Sequence, residues 1–113
     1  MVLLPFADKV QIPIEKLRDY VLNENHEEGK NKAYLFKLLL GFSSENADDL
    51  KEMILSAILV NEAKEGRIDI FGKRYTVDFK VKKWNRTITL RTGWIVKTGT
   101  SISTLTTCYI IKG

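Results

Sequence analysis

Cysteine, histidine and proline are scarce in this chain: 113 residues include one, one and two of them. Cys108 alone forms no internal disulfide, and no cysteine and histidine set exists to hold zinc. A Ser-His-Asp or Cys-His enzyme would have His26 as its sole imidazole base. No apolar run approaches the roughly 18 residues of a membrane span. The start also lacks the basic, apolar, small-residue order of a signal peptide. Gly-rich phosphate loops and dinucleotide fingerprints are missing too, so no cofactor and no metal is expected. What is present is enough to fold: 44% of residues are hydrophobic and 10% aromatic, which argues against disorder and fits one domain over 1–113.

The net charge of +4 hides a split. Residues 1–63 hold 7 Lys/Arg against 11 Asp/Glu, a balance of −4, while residues 64–113 hold 11 against 3, a balance of +8. A basic half suits a polyanionic partner. It also suits a solvated sheet whose lysines guard its edges.

Spacing changes near Glu62–Gly66. Before it, the pattern is helical. Pro13 opens a first helix whose apolar residues are Ile14, Leu17, Val21 and Leu22. Asn23–Gly29 is a polar loop. A second helix is predicted over Lys30–Leu40, apolar most of the way round and so buried on more than one side, with Gly41 as its left-handed cap. Ser43 or Ser44 caps a third helix with a core stripe of Ala47, Leu50, Ile54, Ala57 and Ile58. After the change, strands alternate. Arg67–Phe71 leads to a turn at Gly72-Lys73. Tyr75, Val77, Phe79 and Val81 then mark a half-buried strand. A hairpin tip at Lys83–Arg86, a long strand Thr87–Lys97 with a bulge site at Gly93, and a last strand Leu105–Ile111 follow. The expected fold is α+β: a helical lobe over 1–63, about three helices, packed on a four-stranded antiparallel meander over 64–113.

Four places can carry chemistry. His26 precedes a helix start beside Lys30 and Lys32, as a general base near a phosphate would, or is an exposed loop histidine among glutamates. Arg91 stands mid-strand among apolar neighbours and needs an anion: a phosphate, or an internal carboxylate from Asp69 or Asp78. Alternation sets Arg91, Gly93 and Ile95 on one face and Leu90, Thr92, Trp94 and Val96 on the other, which makes Trp94 core. Thr107 and Tyr109 share one face of the last strand, Thr106 and Cys108 the other. They orient a substrate or are simply good strand formers. Cys108 reads as a small core residue. Finally, Lys80, Lys82, Lys83, Trp84, Asn85 and Arg86 join charge to an aromatic, a pairing that grips a phosphodiester and stacks on a base, or folds back as a solvated tip.

Several segments resemble one family, in order. His26-Glu-Glu-Gly29-Lys30-Asn-Lys32-Ala33 followed by Phe36 resembles a His-Pro-x-Gly-x-x-Lys-Ala-x-x-Phe signature. Phe71-Gly72-Lys73-Arg74-Tyr75-Thr76-Val77 resembles Tyr-Gly-x-Lys-Tyr-x-Val. Arg91–Ile95, Leu105–Tyr109 and the opening Leu4–Lys9 complete the match to the small bacterial DUF6883 domain. Glu27 and Ser103 stand where that family tends to have proline, and Phe71 where it has tyrosine. The resemblance implies a C-terminal toxin module of adhesin-like effectors, similar to metal-independent ribonucleases of the barnase/EndoU/colicin/RelE class. It implies action in the cytoplasm, a target cell's included, on RNA such as transfer RNA, with an acidic immunity or antitoxin partner and no membrane. On this reading His26, Lys32, Arg91, Thr107 and Tyr109 are catalytic, and Lys30, Arg74, Lys82, Lys83, Trp84 and Arg86 bind RNA. The other reading is a non-catalytic module holding RNA or protein on the same basic sheet.

Overall fold

The computed structural model describes residues 2–23, 25 and 30–111, with backbone alone at 30 and 31. Helices come first and four strands follow, as the spacing predicted. Helix α1, Ile14–Lys16, starts directly after Pro13 and relaxes into a π turn over Leu17–Val21. Helix α2 spans Lys30–Leu40 and stops at Gly41, whose φ of 73° is the left-handed value that glycine adopts without strain. A 3-10 turn, Ser44–Asn46, leads into α3, Ala47–Ile58, with Ser43 and Asn46 closing a capping box.

The strands β1, Ala63–Asp69, β2, Gly72–Lys83, β3, Arg86–Lys97, and β4, Ser103–Ile111, form one antiparallel sheet in the order β1-β2-β3-β4. Two expectations need correction here. The first strand begins at Ala63 rather than Arg67, and the chain turns at Ile70-Phe71, not at Gly72-Lys73. Asp69 sets that turn: its Oδ1 accepts the backbone N–H groups of Phe71 and Gly72. Helix α2 is also less enclosed than its composition implied. Ala33, Phe36 and Leu40 are buried, whereas Leu38 is 55% exposed.

One face of the sheet meets the helices. Tyr75, Val77, Phe79, Leu90, Trp94, Leu105 and Cys108 pack there with Leu17, Phe36, Leu50, Ile54 and Ile58. Burying such side chains stabilises by about 1.5–3 kcal/mol each. Two polar side chains are buried among the described residues, Thr92 and Ser103. The Thr92 hydroxyl donates to the Val77 carbonyl at 2.8 Å and accepts from Trp94 Nε1 at 2.8 Å. That pair of bonds lets an indole and a hydroxyl sit in an apolar core.

The sheet edges are handled differently. At β4, Gln11 forms a parallel bridge to Thr104, exchanging backbone bonds with Ser103 and Leu105. The opposite edge strand, β1, carries Lys64, Glu65 and Arg67 and an irregular register between Glu65 and Ile68. Charge and irregularity both discourage further strand pairing. No helix among the described residues is long and apolar enough to cross a membrane.

Candidate functional site

Arg91 and Trp94 lie on opposite faces of β3. Trp94 is 1% exposed in the core, and Arg91 stands on the face turned away from the helices. Register aligns Asp78, Arg91 and Tyr109 in one row across β2, β3 and β4. The Arg91 Nε and Nη2 groups donate to Asp78 Oδ1 and Oδ2, both at 2.9 Å. Of the two internal carboxylates that could answer this arginine, Asp78 is the partner. Asp69 instead binds Arg67 and Arg74 at 3.2 and 3.4 Å.

The pair is fixed but not sealed. The Arg91 side chain keeps 39% of its surface exposed, and Asp78 keeps 28%. A guanidinium has five N–H donors, and two are spent on Asp78. The Tyr109 side chain reaches the same guanidinium. Donating to Asp78, and then to Tyr109, raises the pKa of Arg91, and accepting from Arg91 holds the Asp78 carboxyl below the usual range.

Two further cations converge on β4 from the helices. Lys32, in the first turn of α2, places Nζ 4.8 Å from the centroid of the Tyr109 ring. Lys16 of α1 donates to the Thr106 carbonyl at 3.1 Å. The helices therefore meet the Arg91 row around the β4 edge and not by lying over it. An overlying helical lobe, the simplest way to bring the histidine loop to β3, is not the arrangement, because the helices cover the Trp94 face. His26 itself, with Glu27 and Gly29, lies outside the described residues, and so does the Lys30 side chain.

A bulge reshapes the next row. Gly93 pairs with Thr107 but Trp94 pairs with Leu105, so Thr106 is an extra residue on β4. The bulge site was expected at Gly93, and the register does shift beside it, with the inserted residue on the neighbouring strand. Thr106 therefore does not share a face with Cys108 as alternation implied. A Cβ on Gly93 would meet Thr107 Cγ2 at 2.8 Å and Thr106 Oγ1 at 3.1 Å. Two threonines thus flank a glycine floor beside Arg91. Thr106 and Lys16 were missed in the sequence because nothing in a run of threonines marks where a register slips.

The RNA-binding candidates do not gather in one place. Lys82, Lys83, Trp84 and Arg86 are all exposed at the β2–β3 tip. Arg74 sits nine residues back along β2, about 30 Å at strand rise, and is held by Asp69. Cys108 is 2% exposed, and burial pushes its thiol up to about 12. It is a core residue, as its setting suggested. Among the described residues, no group of three or more His, Cys, Asp or Glu side chains is placed to hold a metal ion.

The family model for the domain of unknown function DUF6883 matches residues 3–112. No curated protein and no solved structure matches the chain.

Proposed function

The chain belongs to the DUF6883 family, and on that footing we propose that it is an endoribonuclease needing no metal ion, with the row Arg91–Tyr109 and Lys32 as its phosphate site. The observation that carries the reading is an arginine pinned by a bidentate carboxylate yet 39% open, with a tyrosine and a lysine beside it. Such a fixed, partly exposed guanidinium suits a developing phosphorane, since its donors need no reorganisation when charge appears.

The chemistry uses RNA's own nucleophile. A base removes the proton of a ribose 2′-hydroxyl, and the oxygen attacks the adjacent phosphorus. The P–O bond to the 5′-oxygen breaks, leaving a 2′,3′-cyclic phosphate. We assign the base to His26, charge stabilisation to Arg91 and Lys32, and orientation to Thr107 and Tyr109. Tyr109 or Lys30 returns a proton to the leaving oxygen. Lys82, Lys83 and Arg86 hold the RNA backbone. In this reading the domain is a toxin module acting in the cytoplasm, and an acidic immunity or antitoxin protein neutralises its basic half.

One observation favours the second reading, a non-catalytic binding module. Asp78 already neutralises Arg91, as the partner in a structural ion pair would. Incubating RNA with the protein in excess chelator separates the two. The nuclease reading expects fragments ending in 2′,3′-cyclic phosphate and none from 2′-O-methylated RNA. Binding without cleavage would leave the module.

A further inference from the structure

The β2–β3 hairpin closes through Trp84 and Asn85, both left-handed, with φ of 52° and 60°. A two-residue turn of this kind is built for Asn-Gly or Asp-Gly. Asn85 fits it. Trp84 does not, because a bulky side chain at positive φ crowds its own backbone. Burial does not account for the tryptophan either. It is 60% exposed, against 1% for Trp94. A residue that neither backbone preference nor burial explains is a candidate for function.

Its surroundings suggest which function. The indole edge rests on the end of α2, with Cη2 at 3.4 Å from where a Gly41 Cβ would stand. Lys83 Nζ lies 5.1 Å from the Trp84 ring centroid and 5.8 Å from that of Phe42. The ring is braced at its edge and carries a cation, and it still leaves most of its surface to solvent. Lys82, Thr87 and Arg86 around it are exposed, so the aromatic stands within a positive patch.

We infer that Trp84 is a stacking platform for an unpaired nucleobase, so that the nucleic acid taken by this domain is single-stranded. This rests on the nucleic-acid part of the proposed function and names its substrate class. A base in a duplex is already stacked on both faces and cannot lie on the indole without being extruded. A base in a single strand is free to do so, and the phosphates on either side meet Lys82 and Arg86. Stacking of this kind tolerates any base.

The probe is a short single-stranded oligodeoxythymidine, which has no 2′-hydroxyl and therefore binds uncut. Because Trp94 is buried, fluorescence quenching on addition of the oligonucleotide reports on Trp84. The expected result is saturable quenching in the wild type. Trp84→Asn lacks that reporter, so its affinity is read by filter binding of the labelled oligonucleotide, on which it should bind roughly tenfold or more weakly than the wild type. Asparagine suits the turn, so this variant should keep its fold and melt no lower than the wild type. A long blunt-ended DNA duplex should compete weakly with the wild type and equally well with both proteins. Unchanged single-strand affinity in Trp84→Asn, or tighter binding of duplex than of single strand, would overturn the inference. Its failure is separable from that of the nuclease reading. Quenching without RNA cleavage removes the nuclease alone, and cleavage without quenching removes the platform alone.

Discussion

Asp78 and Arg91 face each other across β2 and β3 and share two hydrogen bonds of 2.9 Å on the side of the sheet away from the helices. The pair is partly open, so its contribution to stability is the small one of a solvent-screened surface ion pair. Its larger consequence is geometric: it leaves the guanidinium one orientation.

Asp78→Asn should therefore cost little stability and more turnover. The hydrogen bonds from Arg91 depress the Asp78 pKa in the folded protein. A carboxyl depressed on folding stabilises at pH above its unfolded value, near 3.9. That stabilisation is lost as pH falls through the folded value. Urea midpoints measured from neutral pH down to about pH 3 should show Asp78→Asn losing less stability on acidification than the wild type. Parallel curves for the two proteins would show that the pair does not titrate as described.

Thr92 offers a test of the core. Thr92→Val keeps the shape but leaves Trp94 Nε1 without its acceptor and removes the hydroxyl's bond to the Val77 carbonyl. A loss of about 1–3 kcal/mol is expected, read by urea denaturation. Near-UV circular dichroism should also change, because the indole loses its anchor.

The elements with strong periodicity were legible in the sequence. Alternation through Tyr75–Val81 and the capped spacing of Ala47–Ile58 each have one buried face, so pattern and structure coincide. The same alternation put Trp94 inside and Arg91 outside. What the sequence hid were choices made by neighbours. Whether Asp69 or Asp78 answers Arg91 depends on the β2–β3 register, and Asp69 is instead spent holding its own turn. The inserted Thr106 has no signal, since Thr104, Thr106 and Thr107 suit a strand equally. Leu38 shows the opposite error: an apolar residue on α2 that the packing leaves in water.

The basic tip should act in binding rather than in turnover. Changing Lys82, Lys83 and Arg86 together to glutamine should weaken RNA binding and flatten its dependence on salt, since fewer counterions are released. Lys32→Ala, beside Tyr109, should instead slow cleavage at saturating RNA. Filter-binding across a salt series, set beside single-turnover rates, distinguishes the two. Identical behaviour of both variants would merge the tip and the Arg91 row into one site.

The most direct measurement is the single-turnover cleavage rate of saturating RNA, in excess chelator, by the wild type and Arg91→Gln, with thermal melts confirming that both are folded. The wild type should cleave, and the variant should be slower by about 10²-fold or more, the scale on which a preorganised charge-stabilising donor acts. Equal rates for the two proteins, or no cleavage by a folded wild type, would contradict the assignment of the Arg91 row as a ribonuclease site.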